Sequence, residues 1–175
     1  MKHNILLLFL VLVYAQLFSQ KNNLDVTQII RFSKGVNQNK QLTKIELDGD
    51  DFLDEAPDGG ASLTGYFDHN TLLKIRRWIG LSYGSLQIDY YFRRDTLIFA
   101  SVTERHFGTI RDSIDFKRTL PVLEARYYFN QGSIFSREMK GSGFWNKDEE
   151  KTLLPDSRSY LCMLIKRKTH VHPIN

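Results

Sequence analysis

The stretch DGDDFLDEAPDGG, residues 48–60, carries Asp48, Asp50, Asp54, Glu55 and Asp58, five carboxylates of the kind that hold calcium. A calcium loop of the EF-hand type starting at Asp48 needs glycine at its sixth place and glutamate at its twelfth. Leu53 and Gly59 stand there instead, and the stretch reads as a solvated acidic loop. His170 and His172 point two imidazoles the same way if the backbone is extended, with His106 a distant third. Two histidines near a chain end lack the spacing of a closed metal site, so no metal is assigned. Cys162 is the single cysteine; it lies in YLCMLI, among apolar neighbours, and reads as a small buried hydrophobe rather than an activated thiol.

The motifs that carry catalysis are missing: no Gly-x-Ser-x-Gly, no glycine-rich phosphate loop and no His-Glu-x-x-His. GLSYGS, residues 80–85, has the composition of a turn. Asp89 and Glu124 fall on one sheet face, but without a fixed separation they do not make a glycosidase pair. No catalytic residue and no cofactor is assigned. The stronger signal is for binding: Tyr66, Arg76, Trp78, Tyr91, Arg126 and Tyr128 gather on one face if the strands run as the pattern suggests, and aromatic rings with arginines concentrate interface energy.

Those residues sit in a repeated unit. Aligned on phenylalanine, the chain reads GYFDHNTLLKI (65–75), YYFRRDTLIFA (90–100) and YYFNQGSIFSR (127–137). Each copy has aromatics, a few polar residues of turn type and a returning apolar run, which is the order of a β-hairpin. Period two sorts Leu86, Ile88, Tyr90 and Phe92 onto a core face and Gln87, Asp89, Tyr91 and Arg93 onto the other. Leu123, Ala125, Tyr127 and Phe129 repeat the core pattern, against Glu124, Arg126, Tyr128 and Asn130. Six strands are expected, at 62–67, 72–79, 85–92, 97–106, 123–129 and 134–140, with an irregular charged connection from His106 to Leu120.

A sheet with one apolar face needs cover. Val26, Ile29, Ile30 and Val36 recur at helical spacing behind Asp25, a good N-cap. Acids before Leu153 and bases at Lys166-Arg167-Lys168 suit a C-terminal helix, although residues 157–168 also read as a strand. LTKIEL, residues 42–47, is ambiguous and suits a further strand. The expected architecture is α+β: an antiparallel meander with helices from both ends packed on one face.

Residues 1–20 combine Lys2, an apolar run from Ile5 to Val13 and then small and polar residues, the order of a secretory signal peptide. The expected organisation is a leader over 1–20, cleaved near Gln20 or Lys21, and one domain over 21–175. One cysteine allows no internal disulfide, so an ordinary core must hold the chain. The formal net charge of +4 is unevenly spread: seven acids and no base lie between Glu46 and Asp58. No basic run is long enough for a nucleic-acid tail, and no nucleic-acid partner is expected.

The leader ending in LFSQ, followed by GGASLTGYFDHNTLLKIRRWIGLSYGSLQIDYYFRRDTLIF, resembles a group of small exported proteins of unknown function from Bacteroidota-type bacteria. The resemblance covers roughly residues 59–137 and implies an exported, periplasmic or secreted, sheet-forming protein of a Gram-negative cell; it transfers no activity. A weaker likeness is to MORN-type hairpin repeats. Those keep a fixed short period and set glycines, whereas the turn of the third hairpin alone has one here, Gly132. The expected function is therefore a non-catalytic binding module for a protein, glycan or lipid-like partner. An inhibitor or immunity-type protein acting through the acidic loop on an exported enzyme is the rival reading, and an unrecognised hydrolase the third.

Overall fold

The structure, a computed structural model, describes residues 25–171 apart from Ala56 and Asp112, and without the side chains of residues 170 and 171. The expected leader and the His170–His172 pair lie outside what is described.

Seven strands form one antiparallel sheet in sequence order: β1 (Thr43–Asp48), β2 (Ala61–Asp68), β3 (Thr71–Leu81), β4 (Gly84–Arg93), β5 (Thr96–Ile110), β6 (Ser113–Asn130) and β7 (Ser133–Gly141). The ambiguous LTKIEL is the seventh strand; as β1 it pairs with β2 and buries Ile45 and Leu47. The six expected strands are all present.

The repeat is a hairpin with a fixed defect. Each copy turns through two residues: His69-Asn70, Arg94-Asp95 and Gln131-Gly132. Arg94 and Asp95 have φ of 51° and 57°, and Gln131 and Gly132 have 52° and 78°. Positive φ at both positions gives the turn a twist that matches the strands it joins. Just before each turn the register slips: between Tyr66 and Phe67, between Tyr91 and Phe92, and between Tyr128 and Phe129. One extra residue on each returning strand, Leu73, Ile98 or Phe135, is left without a cross-strand partner, which defines a β-bulge.

Two helices flank the sheet, on opposite faces, which corrects the expectation that both cover one face. Helix α1 (Val26–Gln38) is capped by Asp25, whose Oδ1 accepts from the Thr27 N–H at 3.2 Å. It buries Ile29, Ser33 and Val36, a stripe at helical spacing. Under it lie Tyr91, Ile98, Phe99 and Tyr128, with Leu73 at the margin. The bulges therefore turn Leu73 and Ile98 from the core face toward α1. The face expected to be wet is half roofed.

Helix α2 (Lys147–Val171) closes the other face. Asn146 and Glu149 cap it reciprocally: the Asn146 Oδ1 accepts from Asp148 N–H at 2.8 Å, and Glu149 Oε2 accepts from Asn146 N–H at 2.7 Å. Residues 157–168 are helical throughout. Pro155 sits inside the helix on its exposed side, so water can satisfy the backbone carbonyl of Lys151 that the missing N–H leaves free. Leu153, Tyr160 and Leu164 pack against Ile75, Ile88, Tyr90, Val102, Ala125 and Tyr127 to form the main core. Cys162, two residues past Tyr160 and thus on the far side of the helix, is exposed; the buried reading was wrong.

Glu104 anchors the segment before α2. Its side chain is buried, and its Oε2 accepts from the Phe144 N–H at 2.9 Å and the Trp145 N–H at 3.3 Å, while Oε1 meets His106 Nε2 at 2.7 Å. Trp145 then donates from Nε1 to the Tyr127 hydroxyl at 2.8 Å.

The connection from His106 to Leu120 is a pair of strands rather than an irregular loop. β4 stops pairing at His106 and β7 at Leu123, so β5 and β6 run on as a two-stranded arm with bare edges. Ile110, Ile114, Phe116 and Leu120 are exposed on it. Between Phe107 and Gly108 the pairing jumps from Thr119 to Asp115, which loops out residues 116–118.

Candidate functional site

The register brings all six predicted residues onto the α1 face. Lys44, Tyr66, Lys74, Tyr91, Phe99, Tyr128 and Ser136 form one row across β1 to β7. Thr64, Arg76, Asp89, Ser101, Arg126 and Glu138 form the next, and Trp78 lies in a third with Gln87, Thr103 and Glu124.

The first row is a ladder of rings and ammonium groups. Lys44 Nζ lies 5.6 Å from the Tyr66 ring centroid, Lys74 Nζ lies 5.4 Å from the same ring and 5.1 Å from that of Tyr91. Tyr91 and Phe99 follow at 5.3 Å, then Phe99 and Tyr128 at 5.1 Å. These separations suit attraction of a cation to a ring face and of ring to ring.

Asp89 ties the two rows together. It receives Lys74 Nζ at 2.9 Å, Arg76 Nε at 2.8 Å and Nη2 at 3.1 Å, and Gln87 Nε2 at 3.3 Å. Lys74 also donates to Asn37 Oδ1 of α1 at 2.8 Å, and Asn37 Nδ2 donates to the Tyr91 hydroxyl at 2.9 Å. Burial pulls the Lys74 ammonium below the usual lysine range, and Asp89 partly restores it. Burial raises the Tyr66 and Tyr91 phenols, so both stay neutral donors at ordinary pH.

Tyr91 and Tyr128, 2 % and 0 % exposed, are part of the seam under α1 and not an open platform. Tyr66, Arg76 and Trp78 are half-buried and Arg126 is exposed, in an ion pair with Glu138 at 3.4 Å. The helix leaves a cleft on each side. One, about 380 Å³, is lined by Ser33, Lys34, Asn37, Tyr91, Ser101, Glu124 and Arg126 among others. The other, about 360 Å³, is lined by Val36, Asn37, Asn39, Lys40, Leu42, Lys44, Tyr66, Lys74 and Arg76.

Sequence reasoning missed Lys74, Asn37, Lys40 and Lys44. A signal for Lys74 existed: it follows Leu73 in the repeat, at the place of Phe99 and Ser136, and a lysine among apolar strand positions is rarely buried without a partner. Asn37 had none, because its role depends on how α1 crosses the sheet.

In the acidic loop a short 3-10 turn (Gly49–Asp51) begins at Asp48, and Phe52 packs edge-on against Tyr160 at 5.9 Å. Among the described residues no three of His, Cys, Asp and Glu come together in a way that could hold a metal ion, and no helix is long and apolar enough to cross a membrane.

The fold and site define an α+β protein: a seven-stranded antiparallel meander with a helix on each face and a cation and tyrosine ladder beneath the first. Compared with protein-family models, with curated proteins and with solved structures, the chain gives no match in any of the three.

Proposed function

We propose that the chain is an exported, non-catalytic binding module whose ligand enters the clefts beside α1. One observation carries the reading: the sheet face rich in tyrosine and arginine is roofed by a single helix, which leaves two concavities of about 380 and 360 Å³ lined by fixed polar groups. Concave sites of this size, with a few convergent polar side chains on rigid strands, are where small ligands bind. The buried Asp89 network holds Lys74 and Arg76 in place, so little side-chain freedom would be lost on binding. Export rests on the leader and the resemblance.

The test is native mass spectrometry of the purified chain after incubation with an envelope extract and washing. The expected result is a mass adduct on the wild type that is lost when Ser101→Trp fills the first cleft or Leu42→Trp fills the second, with circular dichroism unchanged. An adduct kept by both filled variants would overturn the assignment to the clefts; a ligand released chemically altered would overturn the non-catalytic reading.

A further inference from the structure

The cleft between the end of α1 and strands β1 to β3 has a chemical bias that its neighbour lacks. Lys40, Lys44, Lys74 and Arg76 line it, and no carboxylate does. The opposing charges nearby are Asp89, which lies against Lys74 and Arg76, and Glu46, one of the charges that raise the Tyr66 phenol. The C-terminal end of α1 adds roughly half a negative charge. Four cations outweigh these together by more than one charge.

The four differ in what already holds them. Lys74 and Arg76 are committed to Asp89, and Lys74 also to Asn37. Lys44 stands over the Tyr66 ring, and Lys40 is exposed at the rim. Cations converging on a concave site without matching acids repel each other, and an oxyanion relieves that repulsion. The Tyr66 hydroxyl and the Asn39 carboxamide offer neutral donors. Val36 and Leu42 give one wall that is apolar, which suits a ring or hydrocarbon portion.

We propose that this cleft binds a small organic oxyanion, a carboxylate, phosphate ester or sulfate ester whose charged end meets Lys40, Lys44 and Arg76 and whose apolar part lies against Val36 and Leu42. The inference rests on the proposed binding function and names its ligand class. The first cleft has Glu124 in its lining beside Lys34 and Arg126, and Arg126 is paired with Glu138, so it has no such bias.

The experiment is a titration of the isotope-labelled chain followed by amide resonances, with glucuronate, phenyl phosphate and phenyl sulfate as probes and glucose and phenol as neutral counterparts. At least one oxyanion should move the amides of residues 39–44 and of Tyr66 and saturate, whereas its neutral counterpart should not. Lys44→Glu should weaken that binding tenfold or more with the spectrum otherwise retained, and added salt should weaken it further. Lys44→Gln, which removes the charge without reversing it, should give an intermediate loss. Equal binding of the neutral counterparts would overturn the oxyanion assignment while leaving the cleft as a site. Shifts spread over surface lysines and indifferent to Lys44→Glu would also overturn it, as would no response to any probe. An envelope adduct lost on filling the cleft with Leu42→Trp, alongside failure of every oxyanion, would sink this inference alone and spare the binding function.

Discussion

Lys74 and Asp89 form an ion pair, Nζ to Oδ2 at 2.9 Å, with side chains only 4 % and 9 % exposed, and Arg76 completes it from the solvent side. One carboxylate thus serves two cations, which makes the pair asymmetric. Asp89→Asn leaves Lys74 buried without a counter-ion and should cost about 3 kcal/mol. Lys74→Met leaves Asp89 paired with Arg76 and should cost about 1 kcal/mol or less, since methionine fills similar volume. Urea unfolding of the two variants checks the order; equal losses would mean that Arg76 does not sustain Asp89 once the ammonium is gone.

All seven described tyrosines have phenols raised by burial as the largest cause: Tyr66, Tyr83, Tyr90, Tyr91, Tyr127, Tyr128 and Tyr160. In the unfolded chain a phenol loses its proton near about pH 10. The folded protein holds its protons to higher pH, so above about pH 10 it binds more protons than the unfolded chain, and stability falls as pH rises. Below about pH 10 this contribution is fully present. Lys74 acts the other way, because its folded value is depressed: between that value and its ordinary one near about 10.4, stability rises with pH. Seven groups against one decide the sign. Ultraviolet absorbance of phenolate and circular dichroism should change together in alkaline solution, and phenolate appearing well before unfolding would contradict the burial.

Arg94 and Asp95 both hold positive φ in the second hairpin turn, where the third has Gln131-Gly132. Asparagine and glycine adopt that conformation at least cost. Arg94→Asn with Asp95→Gly should stabilise by about 0.5–1 kcal/mol, read as a rise in thermal midpoint of about 1–4 °C.

Gly143 lies so close to Glu104 that a Cβ there would stand 2.3 Å from Oε2. Gly143→Ala must displace the carboxylate that receives the Phe144 and Trp145 N–H groups, and should cost about 1–3 kcal/mol. Glu104→Gln keeps the shape and an acceptor oxygen and should cost less. Hydrogen exchange at residues 144 and 145 should quicken in the first variant more than in the second.

The repeat was legible because its aromatics, turn residues and apolar runs recur in order, and aligning the copies placed Tyr66, Tyr91 and Tyr128 at equivalent positions, which the register brings into one row. The bulges were not, since a pattern of alternation assumes one residue per step, and Leu73, Ile98 and Phe135 each break it. The same break hid the destination of Ile98, which meets α1. The amphipathic stripe of Ile29 and Val36 marked α1 as a helix but not which face it covers, a choice that depends on Asn37 reaching Lys74 and Tyr91. The arm beyond His106 was read as irregular because neither of its faces is buried, and a strand without a buried face shows no alternation to read.

The bare arm of β5 and β6 bears on how the protein behaves when crowded. Two long unpaired edges with exposed Ile110, Ile114 and Phe116 are the kind of template on which further chains add strand by strand. On β6 the template is interrupted twice, by the looped-out residues 116–118 and by Pro121, which has no N–H to offer. Lys117 and Arg118 in the loop repel a like copy. The arm can therefore stand out from the sheet without seeding fibres from that edge, and straightening it by deleting residues 116–118 would turn a quiet surface into a nucleus for aggregation.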